Sequence, residues 1–169
     1  MEAAGLFIVH PIDPSGSVTT EQPKNEIRIS AQTHTTFSSL SKVPLSIVIP
    51  IKNEAANLAR CLAAVAWADQ VFVVDSASTD GSQDIATSMG AEVVQFDFNG
   101  TWPKKKNWSL ENLPFRHEWV FILDADEELE PAAEAEMRAI VTDPNHATDG
   151  YWINRRFMFM GKWLKHAYF

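Results

Sequence analysis

Two carboxylates one residue apart, Asp124 and Asp126, stand directly after a continuous apolar run, Trp119 to Leu123. If that run is a strand that carries on into the acids, alternate side chains point the same way and both carboxylates can address one cation. Hard oxygen donors of this kind suit magnesium or manganese. Such ions take few protein carboxylates, at about 2.1 Å, and complete their shell with water and substrate phosphates. The competing interpretation is a solvated acidic run, shared with Glu127, Glu128 and Glu130, at a helix N-terminus where the dipole favours negative charge. The spacing favours the cation for Asp124 and Asp126, and the solvated surface for Glu128, Glu130, Glu134 and Glu136.

Other polar groups follow other apolar runs. Lys52, Asn53 and Glu54 come after Leu45 to Ile51, and Asp75, Ser76 and Ser78 come after Gln70 to Val74. A carboxylate at Asp75 can accept a hydrogen bond from the N–H of a pyrimidine base such as uracil, worth about 1.5 to 3 kcal/mol, or it can close an Asx turn into the next helix. Asp80 suits a helix cap. Lys104 to Lys106 precede the acidic loop by one helix and one strand, so a lysine here can reach a diphosphate from the side opposite a metal. Lys106 is the preferred one. For Lys104 and Lys105, exposed helix-start positions without partners are an equal reading. His10, His34, His117, His146 and His166 have no partner at metal or catalytic spacing and read as structural or solvated.

The elements that must position these residues follow from periodicity. Leu45 to Ile51 is a β-branched apolar run, the mark of a strand buried on both faces of a parallel sheet. Glu54 to Val65 carries an apolar stripe of Ala55, Leu58, Leu62 and Val65 at helical spacing, and Gln70 to Val74 is a second buried strand. Asp80 and Gln83 resemble a capping box and Gly90 a left-handed C-terminal cap, so Gly81 to Met89 is expected to be helical. Further strands are expected at Glu92 to Gln95, Trp119 to Leu123 and Tyr151 to Asn154, and helices over Lys104 to Leu113 and from Pro131 to about Val141. Two short β segments broken at Gly161 end the chain. In open α/β sheets ligands bind beyond the carboxyl ends of the strands, which is where the polar groups fall.

With 169 residues the chain holds one ordinary domain. Residues 1–42, rich in Ser, Thr, Pro, Gln and Asn, read as a disordered polar extension, and 43–169 as the domain. The formal charge is -8, much of it from the acids between Asp124 and Glu136, and no basic face suits nucleic acid. Cys61 is the only cysteine, which excludes an internal disulfide and suggests core packing. No run approaches the ~20 apolar residues that span a bilayer, so a cytoplasmic protein is expected. The mixture of aromatic and basic residues from Phe157 to Phe169 is compatible with contact at the inner face of a membrane, or with an ordinary sheet edge.

Taken together, these residues resemble the family 2 glycosyltransferases of the GT-A fold. The family's Pro-x-x-Asn-Glu segment is matched by Pro50-Ile51-Lys52-Asn53-Glu54, its base-contacting aspartate by Asp75, and its Thr-Asp-Gly turn by Thr79-Asp80-Gly81. Its basic-Asn pair is matched by Lys106-Asn107 and its Asp-x-Asp metal motif by Asp124-Ala125-Asp126. The resemblance runs from Leu45 to Phe169. Ser76 departs from it, standing where many relatives have a second aspartate near the ribose. Asn107-Trp108, His117-Glu118-Trp119 and Arg155-Arg156 look most like the bacterial branch that includes lipopolysaccharide-core glucosyltransferases.

The resemblance implies an α/β, Rossmann-like, mostly parallel sheet flanked by helices, of GT-A type and incomplete at the C-terminus. It implies transfer of a sugar, with inversion, from a nucleotide-diphosphate donor such as a UDP-sugar to a saccharide or lipid-linked saccharide in cell-envelope glycan synthesis. Pro50, Lys52, Asn53, Glu54, Asp75, Lys106 and Asp124 would line the donor site, with Mg2+ or Mn2+ on Asp124 and Asp126. The catalytic base is expected beyond Phe169, so the chain is expected to bind donor but to transfer sugar poorly. Two other classes fit less well. A nucleotidyltransferase making nucleotide sugars wants a Gly-rich loop after Ile51, and a phospho-acceptor signalling domain wants paired acids there. A non-catalytic nucleotide-sugar-binding remnant remains an open alternative.

Overall fold

The computed structural model describes residues 6–9, 42–145 and 148–164. Among them a six-stranded sheet is ordered β4-β3-β2-β5-β1-β6. Its strands are β1 (Leu6–Val9), β2 (Val43–Ile51), β3 (Ala68–Asp75), β4 (Glu92–Gln95), β5 (Trp119–Ile122) and β6 (Gly150–Ile153). β4, β3, β2 and β5 are mutually parallel, and β1 pairs antiparallel with both β5 and β6. The connections are α1 (Ala55–Ala64), α2 (Ser82–Ser88), α3 (Lys105–Asn112) and α4 (Pro131–Val141). A hairpin of β7 (Met158–Phe159) and β8 (Lys162–Trp163) stands apart from the sheet.

β2 is the central strand, and its composition explains why. Leu45, Ile47, Val48, Ile49 and Ile51 are all buried on successive positions, so neither face of the strand meets water. β3 contributes Phe72, Val73 and Val74, and β5 contributes all four of its residues. The stripe on α1 is the expected one, with Leu58, Cys61, Leu62 and Val65 buried. Burial pushes the Cys61 thiol up to about 11, helped by the acids of the loop after β5. α2 ends in a Schellman motif. Gly90 has φ 82°, its N–H bonds Thr87 O at 3.1 Å, and Ala91 N–H bonds Ala86 O at 3.1 Å.

One polar pair crosses the core. Ser46 Oγ donates to Gln70 Oε1 at 2.7 Å, which also accepts Arg116 N–H at 3.0 Å, while Gln70 Nε2 donates to Glu92 and to the Pro114 carbonyl. A buried amide with both ends satisfied fixes the loop before β5 to β2 and β3.

Two expectations need correction here. Leu6–Val9 is not part of a structureless extension: its backbone fills the slot between β5 and β6, in register Ile8 with Phe121 and Tyr151. Four residues are too few for periodicity to mark a strand, and the edge of β5 supplies the partner. Residues 1–5 and 10–41 lie outside the described residues. The capping box at Asp80 and Gln83 does not form either. Gly81, with φ 87°, occupies the N-cap of α2 without a side-chain cap bond, and Asp80 bridges two helices: its Oδ1 accepts Ser82 N–H at 3.1 Å at the start of α2 and its Oδ2 accepts Ala55 N–H at the start of α1.

Phe121, in β5 beside Ile47 of the central strand, is 1% exposed, whereas Phe98 is 55% exposed. Phe121→Ala should therefore cost about 3 to 5 kcal/mol and Phe98→Ala under about 1 kcal/mol, read by urea unfolding.

Candidate functional site

The carboxyl ends of β2, β3 and β5 carry the loops that hold the candidate residues. β2 runs into Lys52, Asn53 and Glu54, and β3 into the turn from Asp75 to Gly81. Asn53 N–H donates to Ser78 Oγ at 2.7 Å, and Asn53 Oδ1 accepts Thr79 N–H at 2.9 Å. Glu54 N–H donates to Ser82 Oγ at 3.0 Å and Ala55 N–H to Asp80 Oδ2 at 2.9 Å, so the free amides at the start of α1 are met from the neighbouring loop. Asn53 has φ 59°, a left-handed conformation that asparagine tolerates far better than β-branched residues do. Asn53 and Asp80 thus act chiefly on the backbone. Lys52 is exposed and, among the described residues, unpaired, while Pro50, the last but one residue of β2, is half-buried beside Val74.

Asp75 is fully enclosed. Its carboxylate accepts Ser78 N–H at 3.0 Å, the Ser78 hydroxyl, Gln83 Nε2 at 2.8 Å and the Gln95 side chain. Burial acts to raise its pKa, but these hydrogen bonds outweigh it and hold the group below the ordinary carboxylate value. The Asx turn is the arrangement that forms. A carboxylate has about four acceptor positions, and here four donors occupy them.

The lysines diverge. Lys106 Nζ lies 2.7 and 2.8 Å from the two oxygens of Asp124. Lys105 does not match the picture of an exposed lysine without a partner: it is half-buried and donates to the carbonyl of Ile51, the last residue of β2. Burial, with Lys52 adding repulsion, pulls its pKa below the ordinary lysine value against the opposing pull of Asp75 and Asp124. Lys104 is exposed at the N-cap of α3.

β5 stops at Ile122, and Leu123 N–H still reaches Val48 O at 3.0 Å. The chain then turns, closed by Glu127 N–H on Asp124 O at 3.0 Å. Asp124 and Asp126 are therefore not alternate residues of an extended segment. Ala125 is buried, Asp124 is half-buried, and Asp126 is exposed with no hydrogen bond or ion pair among the described residues. The following acids are not a free solvated run. Glu127 pairs with Arg155 at 2.6 Å, Glu128 with Arg60 at 2.9 Å, Glu130 with Arg156 at 2.8 Å and Glu134 with Arg138 at 2.8 Å. His117, read as structural or solvated, is structural: it lies 2.8 Å from Asp69, whose carboxyl is held below its usual pKa by that hydrogen bond. His10, His34, His146 and His166 lie outside the described residues.

No cluster of three or more His, Cys, Asp or Glu suited to a metal occurs among the described residues. Asp124 and Asp126, the candidate pair in the loop after β5, have no histidine or cysteine grouped with them among the described residues. That donor set fits a hard cation that draws its remaining ligands from water and phosphate, and fits poorly with a closed structural metal site.

Residues 46–167 match the family model described as Glycosyl transferase family 2. The chain belongs to that family. An uncharacterized glycosyltransferase of Rickettsia bellii is 38% identical over 110 residues, covering 64% of this chain and 36% of its own length. A lipopolysaccharide core biosynthesis glycosyltransferase of Rhizobium meliloti is 29% identical over 137 residues, covering 72% of this chain and 46% of its own. The crystal structure of mannosyl-3-phosphoglycerate synthase from Rubrobacter xylanophilus matches at 26% identity and a TM-score of 0.48, covering 60% of this chain and 37% of that one. The chain spans about a third of the length of the first of these relatives. The α/β, mostly parallel sheet flanked by helices that was expected from the sequence is the one this family 2 glycosyltransferase domain forms.

The structure brings Asp75, Lys105, Lys106, Asp124 and Asp126 to one sheet edge, with Lys52, Asn53 and Glu54 beside them. Sequence reasoning left Lys105 open between a diphosphate contact and an exposed position, and gave Gln83 to a capping box instead of to Asp75. The signal for Lys105 was its place in the first turn of α3, one helical step from Lys106, but its partner is a main-chain carbonyl that no side-chain pattern announces.

The ionised form of Asp75 is the one the fold favours, so its contribution is present above the unfolded carboxylate pKa of 3.8 and is lost as pH falls through the lower folded value. Asp75→Asn should be less stable than the parent by about 1 to 3 kcal/mol at pH 7. That gap should persist to about pH 4 and narrow at pH 3, as read by urea unfolding at each pH.

Proposed function

We propose that the whole protein transfers a sugar from a nucleotide-diphosphate donor, a UDP-sugar, to a saccharide or lipid-linked saccharide of the cell envelope, and that residues 43–169 hold the donor. Family membership supports the transferase class, and the lipopolysaccharide-core relative supports the acceptor class. The observation that carries the reading is the run of charges along the carboxyl edge of β3, β2 and β5, from Asp75 through Lys105 and Lys106 to Asp124 and Asp126.

On this reading Pro50, Lys52, Asn53, Glu54, Asp75, Lys106 and Asp124 surround the donor. Asp124 and Asp126 hold Mg2+ or Mn2+, which would neutralise phosphate charge when bound. As the bond from the anomeric carbon to the diphosphate oxygen breaks, negative charge collects on the leaving diphosphate. Lys106, already fixed by Asp124, is poised to stabilise it without moving far. The acceptor hydroxyl attacks from the opposite face, which inverts the anomeric carbon, and loses its proton to a base that lies outside this site. Asp75 can take a base N–H only if Gln83 or Gln95 gives up one of its oxygens.

No helix among the described residues is long and apolar enough to cross a membrane. A cytoplasmic protein meeting the inner membrane face would do so through the β7–β8 hairpin, where Met158, Phe159, Met160 and Trp163 are exposed beside Lys162.

Thermal melts with UDP-, GDP- and TDP-sugars, with and without Mn2+, test the reading, and a metal-dependent upward shift with a UDP-sugar is expected. Because Asp126 is exposed and unpaired, Asp126→Ala should leave the unliganded melt unchanged while removing the Mn2+-dependent part of the shift; an unaltered shift rejects the metal assignment. Gln83→Ala frees an oxygen of Asp75 and should tighten UDP relative to GDP by a few-fold in calorimetric titration.

A further inference from the structure

Lys105 has a chemistry that its local contacts leave unused. An ammonium has three donors, and the only hydrogen bond of the Lys105 ammonium among the described residues is to the Ile51 carbonyl. No carboxylate stands within ion-pair distance of it there, although it is half-buried and lies within the electrostatic reach of both Asp75 and Asp124. A partly desolvated cation without an anion is costly to keep unless one arrives.

Its position is defined by the sheet. Ile51 is the register partner of Asp75, and its carbonyl also accepts Ser76 N–H at 3.1 Å, so the carbonyl that anchors Lys105 sits on the β2–β3 seam. Lys106, the next residue, faces the β5 side through Asp124. Adjacent helical residues point about 100° apart, which is how one turn of α3 places cations over both seams of β2. Lys52 adds a third positive charge near the first seam.

We propose that Lys105 is a substrate-binding residue that contacts the phosphate attached directly to the nucleoside, while Lys106 serves the distal phosphate beside Asp124. The assignment rests on the nucleotide-donor reading above. It divides the work between two neighbouring lysines: one sets nucleotide affinity, the other stabilises the leaving group.

Calorimetric titration of the full chain with uridine, UMP and UDP, each with and without Mn2+, tests this in the parent and in Lys105→Met, Lys105→Arg and Lys104→Met. Lys105→Met should weaken UMP and UDP by roughly tenfold to a hundredfold, with or without metal, and leave uridine within about twofold. Lys105→Arg should recover most of the loss, and Lys104→Met should bind as the parent does. A merely structural role for Lys105 would weaken uridine and UMP alike, so an unchanged ratio of UMP to uridine affinity in Lys105→Met overturns the proposal. Equal ratios in Lys105→Arg and the parent, beside a collapsed ratio in Lys105→Met, support it even if the Met variant melts lower. If the parent binds none of the three ligands, the donor reading itself fails and takes this proposal with it.

Discussion

Two segments about 25 residues apart in sequence are joined by hydrogen bonds that the backbone amides of Asn53, Glu54 and Ala55 donate to the side-chain oxygens of Ser78, Ser82 and Asp80. Those amides lead into α1, from Asn53 before the N-cap Glu54 to Ala55, the first helical residue, whose N–H would otherwise lack a partner, since Glu54 makes no cap bond from its own side chain. The β3–α2 loop is held in return, because Asn53 accepts from Thr79 and Asp75 gathers Ser78 and Gln83. Each loop is thus ordered by the other. This is possible only because β2 and β3 are parallel neighbours whose ends, Ile51 and Asp75, lie in register.

That mutual ordering sets the electrostatics of the edge. With its four acceptor positions occupied, Asp75 is a fixed, ionised anchor more than a free ligand. The cations above it come from α3, a different element that packs against β2, so their spacing follows from the helix and not from the loops. On the β5 side, Arg60 from α1 and Arg155 and Arg156 from the segment after β6 neutralise the acids that follow Asp126. Asp126 alone among the carboxylates from Asp124 to Glu130 is left exposed and without such a counter-charge among the described residues. An anionic protein with a formal charge of -8 therefore gathers lysines and one unpaired acid at this edge, where a charged phosphate group could be met.

The motifs were legible before any coordinates because each is a short run of chain whose chemistry depends on neighbours in sequence. A β-branched apolar stretch followed by polar residues marks a parallel strand and its carboxyl end, and this placed Asp75 and Asp124 on one edge correctly. Helix limits followed from the same periodicity, with Pro131 and Gly90 marking a start and an end where the structure has them. Membership of glycosyl transferase family 2 was legible for the same reason, since several motifs in order on strand ends are a pattern of sequence.

What only the tertiary structure decided is which atoms those residues touch. Asp80 caps a helix that precedes it in the chain, Lys105 meets a carbonyl 54 residues away, and Leu6–Val9 becomes a strand because β5 offers an open edge. The acids after Asp126 are paired because arginines from distant segments reach them. Local sequence sets propensity and pattern through covalent neighbours, but desolvation and pairing depend on what the fold brings within about 4 Å, and that distance is closed by packing.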